Sequence, residues 1–145
     1  MPRYHAHIPS PWDPDQAFAY MADFSNAAEW DPGVLRATTV VSDGTAPGGA
    51  FDLVVRTLGR ETTLRYVVTA CEARRITFLA STSQFESEDT VTVKPRPGGS
   101  VVEYEAGLRL RGAARVFTPI LALALRRIGD RARAGLTRRL GEPAP

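Results

Sequence analysis

With 145 residues, 43% of them hydrophobic and 23% charged, the chain has the size and make-up of one globular domain spanning 1–145, and no apolar run approaches the ~20 residues that cross a bilayer. A lone cysteine, Cys71, excludes an internal disulfide and a cysteine-ligated metal. The start Met1-Pro2-Arg3 runs into an alternating stretch rather than the ~7–15-residue apolar region of a secretory leader, so the expected location is cytoplasmic.

The first strand, RYHAHI at 3–8, ends at Pro9, which has no donor for a sheet ladder. Asp13-Pro14-Asp15-Gln16 then places a capping acid, a proline and a glutamine as a helix start requires. Phe18, Met21, Ala22 and Phe24 follow helical spacing, and Asn26-Ala27-Ala28-Glu29 repeats the cap pattern for a short second helix closed by Trp30-Asp31-Pro32-Gly33. From Val34 the period becomes two. Strands are expected at 34–41, 50–58, 61–71, 75–80, 85–94 and 100–110, separated by short turns such as Ser42-Asp43-Gly44 and Arg96-Pro97-Gly98-Gly99. Connections this short imply an antiparallel meander.

Arg111-Gly112 releases the chain into a long helix over 113–140, with Pro119 either kinking it or opening its main part behind Thr118. The net charge of +2 is concentrated here: residues 111–140 hold eight arginines against Asp130, so this segment carries +7 and the rest −5. Such a segment fits an anionic partner or the solvated face of one helix on an acidic sheet. The solvated face is the reading adopted, and no nucleic acid is expected.

One helix about 10–12 Å across cannot cover a sheet of six or seven strands that each add nearly 5 Å. The sheet must curl around it, and a hollow between the two is where a ligand would sit. The fold class is therefore α+β: a curved antiparallel sheet around a long C-terminal helix, with two short helices between strands one and two. Pro14-x-x-x-Phe18-x-x-x-x-Asp23-Phe24-x-Asn26-x-x-x-Trp30, Leu58-Gly59-Arg60 and Gly129-Asp130-Arg131 resemble the helix-grip fold of the START-related, birch-pollen-allergen superfamily (SRPBCC), in its polyketide cyclase/dehydrase-like branch of small bacterial proteins. The resemblance covers nearly the entire chain. It implies an internal cavity for lipids, sterols, phenolics or polyketides, with cyclisation or dehydration in some members and carriage alone in others. No residue set matches a catalytic signature of the cyclases.

Alternation assigns the inner faces. Val102, Tyr104, Ala106, Leu108 and Leu110 face inward on the last strand, and Phe85, Ser87, Asp89, Val91 and Val93 on the one before. An even-numbered hairpin loop of four residues keeps both sets on one face, which puts Asp89 opposite Ala106 or Tyr104 and within reach of the Tyr104 hydroxyl. Leu64, Tyr66 and Val68, with Phe51, Leu53 and Val55, and with Ile76, Phe78 and Ala80, complete the wall. On the helix, Phe117, Leu121, Ala124, Ile128 and Gly135 form one stripe with Arg131 on its edge. Arg131 turned inward would pair with Asp89, beside Tyr104 or Tyr66, since a buried carboxylate is costly alone. The alternative is a protonated Asp89, or one at a strand end that reaches solvent. Trp30 resembles the family's cavity-end aromatic and equally suits a core plug. Gly135 suits close packing, to offset the ~1 kcal/mol that glycine costs in a helix.

His5 and His7 share one strand face but have no evident third ligand, so no metal is expected. No phosphate loop, nucleophile elbow or zinc spacing appears, and no cofactor is expected. The leading function is binding of a hydrophobic small molecule as carrier or sensor. A polyketide cyclase/dehydratase-type enzyme with Asp89, Tyr104 and Arg131 as candidate catalytic groups is second. A homodimeric interaction module, through the apolar stretch 116–125, is third.

Overall fold

The protein is described by a computed structural model over residues 1–42, 47–57 and 59–145. Asp43 and Gly44 of the expected turn, and Leu58 of the Leu58-Gly59-Arg60 motif, lie outside the described residues. The strands are β1 (Arg3–Ser10), β2 (Val34–Val41), β3 (Ala50–Thr57), β4 (Arg60–Glu72), β5 (Arg75–Ser81), β6 (Phe85–Arg96) and β7 (Gly99–Leu110). Helices α1 (Pro14–Ala22) and α2 (Ala27–Trp30), joined by the 3-10 turn Phe24–Asn26, lie between β1 and β2, and a 3-10 segment Gly112–Phe117 leads into α3 (Thr118–Gly141). All strands form one curved sheet of order β1-β7-β6-β5-β4-β3-β2, antiparallel at every neighbour. This is the helix-grip arrangement.

Several local expectations need correction. β1 continues through Pro9, which pairs with Val101; a proline is tolerated there because β1 is an edge strand. Arg96 pairs with Gly99, so the β6–β7 loop has two residues, Pro97 and Gly98, rather than four. Gly98, at φ +82°, supplies the left-handed residue, and the even count keeps the inner faces matched. Asp13 caps α1 by accepting from the Asp15 N–H at 3.0 Å. Asn26 makes no such bond at α2; its side chain instead donates to the Tyr20 carbonyl at 3.0 Å, and Asp23 caps the 3-10 turn through Ser25 N–H at 3.1 Å.

The main difference concerns α3. Its buried residues are Leu125, Gly129, Ala132, Leu136 and Leu140, a stripe turned by about one residue, or roughly 100°, from the expected one. Phe117 and Ile128 are 56% and 49% exposed, and Arg131 is exposed. Leu121, Ala124 and Gly135 are partly buried. The cause is close packing through small residues. A methyl group added at Gly129 would lie 2.4 Å from the Tyr4 ring, and one at Gly135 would lie 1.7 Å from the Trp30 carbonyl oxygen. The helix thus presses on β1 and α2 where it has no side chains in the way.

The C-terminal half of α3 is fastened at several points. Ser10 Oγ donates to the Leu140 carbonyl at 2.7 Å and accepts from Trp12 N–H at 3.1 Å. Trp12 Nε1 donates to the Glu142 carbonyl at 2.6 Å. Arg139 lies over the rings of Trp12 and Tyr20, 5.0 and 4.9 Å from their centroids.

Candidate functional site

Period-two alternation on a one-sided sheet sends Tyr66, Phe78, Ser87, Asp89 and Tyr104 to the concave face, and all are buried there. Asp89 pairs with Ala106 across β6–β7 and with Phe78 across β5–β6. Tyr104, opposite Val91, is therefore diagonal to Asp89, and its hydroxyl donates to Asp89 Oδ2 at 3.0 Å. One step along, Tyr66 Oη and Ser87 Oγ share a hydrogen bond of 2.9 Å. Arg131 has no part in this cluster: the rotation of α3 leaves it exposed, and the phenol of Tyr104 takes the role of partner to the carboxyl.

Aromatic rings fill the inner end of the site. Phe24 stacks on Phe78 with centroids 4.1 Å apart and meets Tyr66 edge-on at 5.2 Å. Trp30 meets Tyr104 at 5.4 Å. Phe51 and Leu53 are buried on the same wall. At this end the expected hollow is occupied by side chains.

The inner face opens towards the other end. Along β7, exposure rises from 0% at Val102 through 5% at Tyr104 to 9% at Ala106, and Leu108 and Leu110 are partly exposed. β6 follows the same course from Val91 at 0% to Asp89 at 7% and a partly exposed Phe85. Val55 and Leu121 are also partly exposed. Asp89 Oδ1 meets no donor among the described residues, while no fully enclosed side-chain oxygen or nitrogen there lacks a partner. Oδ1 therefore keeps some accessible surface at the more exposed end of this inner face.

Burial pushes the Asp89 carboxyl up to about 7; the Tyr104 hydrogen bond works against this, and the nearby charges of Asp31 and Glu88 add to it. Tyr66 and Tyr104 are raised further above the ordinary phenol range by burial and by Asp89, so both phenols remain neutral. Asp31 was not singled out by the sequence. Its carboxyl is raised by burial, against a bond of 2.9 Å from Gly33 N–H, and its charge acts on Asp89, Tyr66 and Tyr104. The Asp31-Pro32-Gly33 pattern signals a turn but carries no sign of burial.

Chemically, the cluster can hold a carbonyl or hydroxyl oxygen of an otherwise apolar molecule, and Asp89 can exchange a proton near neutrality. Three candidate metal ligands do not come together among the described residues. His5 and His7 lie on the outer, exposed face, near Glu105 and Glu103.

The chain is similar to known proteins over nearly its full length. The fold matches a START-superfamily protein from Mycobacterium smegmatis (13% identity, 95% of this chain and 94% of that one, TM-score 0.76). It also matches the ZhuI aromatase/cyclase from Streptomyces sp. R1128 (13% identity, 95% and 90% coverage, TM-score 0.72) and Ara h 8.0201 (12% identity, 91% and 95% coverage, TM-score 0.60). None of the curated proteins compared with the chain matches it. Residues 1–141 match the family described as polyketide cyclase / dehydrase and lipid transport, and the chain belongs to that family.

Proposed function

We propose that the chain binds a hydrophobic small molecule of the lipid, polyketide or aromatic-metabolite kind in a cleft at the more exposed end of the inner face, with a polar atom against Asp89 and Tyr104, and acts as a cytoplasmic carrier or sensor. The observation that supports this most is Asp89 Oδ1, an acceptor without a partner among the described residues, on an inner face that goes from buried at Ala106 to partly exposed at Leu108 and Leu110. Burying a carboxyl in apolar surroundings costs several kcal/mol unless it is paired. A ligand donor at Oδ1 would offset that cost, and the partly exposed Phe85, Leu108 and Leu110 would cover the apolar remainder.

A second reading, a cyclase or dehydratase, draws on the same pair. A carboxyl near pKa 7 beside a neutral phenol suits proton removal next to a polarised carbonyl, and an aromatase/cyclase shares the fold.

Trp30, 5.4 Å from Tyr104, provides a reporter. Titration with a naphthol, a long-chain fatty acid and a sterol is expected to give saturable fluorescence change with at least one of them, weakened roughly tenfold in Asp89→Ala, the loss of one strong hydrogen bond. Absence of saturable change with every class would overturn binding. Turnover of an aromatic poly-β-ketone that is lost in Asp89→Asn, with binding retained, would select the enzyme.

A further inference from the structure

The approach to α3 leaves an apolar surface bare. Val116, Phe117, Ile120 and Leu123 are 74%, 56%, 66% and 58% exposed, and the segment Gly112–Phe117 buries no residue. The first buried residue of α3 is Leu125. Scattered exposed apolar side chains are ordinary, but four large ones this close in the chain make a patch that calls for an occupant.

Charge indicates which occupant. Arg109, Arg111 and Arg115 line an open depression of about 540 Å³ at the helix start, where Glu86 meets Arg109 and Arg111. Arg126, Arg127 and Arg131 follow the patch on the exposed side of α3. Arg115, Arg126, Arg127 and Arg131 meet no carboxylate among the described residues. Apolar side chains framed by unpaired arginines match the makeup of a segment that lies in a membrane interface.

We propose that this surface docks on an anionic lipid bilayer, with Phe117, Ile120 and Leu123 entering the boundary between headgroups and acyl chains and the arginines at phosphate level. A second copy of the chain is the weaker occupant. A two-fold contact through the patch sets the same surface against itself, and so brings the arginines that frame one copy towards those that frame the other. A bilayer carrying phosphatidylserine meets them with the opposite charge. No helix among the described residues is long and apolar enough to cross the membrane, so the contact is peripheral. Docking stands apart from the identity of any molecule in the cleft, and the two are read by different measurements.

The test is co-sedimentation with phosphatidylcholine vesicles, with and without phosphatidylserine, across a salt series, alongside light scattering. Binding is expected to require phosphatidylserine and to fall with salt. Arg126→Gln with Arg127→Gln should weaken it by about fivefold per arginine. Phe117→Ser with Ile120→Ser should abolish it while the circular dichroism and Tm stay as they were, since both residues are exposed. Folded protein that stays in the supernatant, binds neutral vesicles equally well or is indifferent to Phe117→Ser with Ile120→Ser overturns the proposal. A dimer that this serine pair dissolves, without vesicle binding, overturns it and assigns the patch to a second copy.

Discussion

Tyr104 donates its hydroxyl to Asp89 Oδ2 across 3.0 Å, from a position diagonal to it on the neighbouring strand. This hydrogen bond counteracts the burial that raises the Asp89 carboxyl. Tyr104→Phe should therefore move the Asp89 midpoint above its present value of about 7. It should also destabilise the fold by about 1–3 kcal/mol, the cost of leaving a buried acceptor unpaired. Carboxyl-carbon NMR titration checks the first effect and urea unfolding the second. An unchanged midpoint would mean that the hydroxyl does not hold the carboxyl.

Asp89 also gives stability a pH dependence of definite sign. A carboxyl raised from 3.8 to about 7 by folding keeps its proton in the folded state while the unfolded chain has already lost it. The contribution of Asp89 to stability is therefore greatest at low pH and falls as pH rises from about 4 to beyond 7, while the lowered carboxyls of Glu29 and Asp52 act in the opposite sense at acid pH. The full effect of Asp89 is up to about 4 kcal/mol. The raised carboxyl of Asp31 acts in the same direction. Asp89→Asn, which keeps an acceptor for Tyr104, should flatten the profile and be more stable than the parent at pH 8. Equal slopes in Tm-against-pH curves for parent and variant would contradict this.

Two glycines of α3 should respond differently to alanine. At Gly135 the new methyl meets the Trp30 backbone carbonyl at 1.7 Å, and backbone cannot turn aside. The overpacking should exceed the ~1 kcal/mol that alanine gains in a helix, for a net loss of about 2 kcal/mol or more. At Gly129 the obstacle is the Tyr4 ring, a partly exposed side chain. It can swing outward, at the expense of its 2.7 Å bond to Asp130, so Gly129→Ala should cost less. Denaturant midpoints of the two variants provide the comparison.

Ser10→Ala removes the hydrogen bond that ties β1 to the Leu140 carbonyl of α3 and the local one that Ser10 Oγ accepts from Trp12 N–H. A loss of about 1–3 kcal/mol is expected, with faster amide exchange near Leu140 before the strands are affected. Loss of protection across the whole sheet at once would show that this fastening is not local.

Most strands were legible because they carry a clean alternation: Glu103 and Glu105 mark the outer face of β7 as firmly as Val102 and Tyr104 mark the inner one. An even loop then sufficed to bring Tyr104 to Asp89, whether that loop had four residues or, as found, two. The rotation of α3 was not legible. Between Val116 and Leu125 apolar side chains occupy nearly every side of the helix, so periodicity has no sharp direction there. The buried face is marked instead by Gly129 and Ala132, whose small size allows close approach but contributes little to an apolar stripe. Asp31 escaped notice for a related reason: its burial comes from tertiary packing around the short helices, which turn chemistry alone does not report.

The central claim is that a small molecule lies along the inner face between Asp89 and Leu110. Amide and methyl chemical-shift mapping during titration with a ligand that binds tests it most directly. The account predicts that the shifts concentrate at Phe85, Ser87, Asp89, Ala106 and Leu108, and that Asp89→Asn alters them. Shifts confined to the outer face around His5 and His7, or to the depression lined by Arg109, Arg111 and Arg115, with the inner face silent, would contradict it.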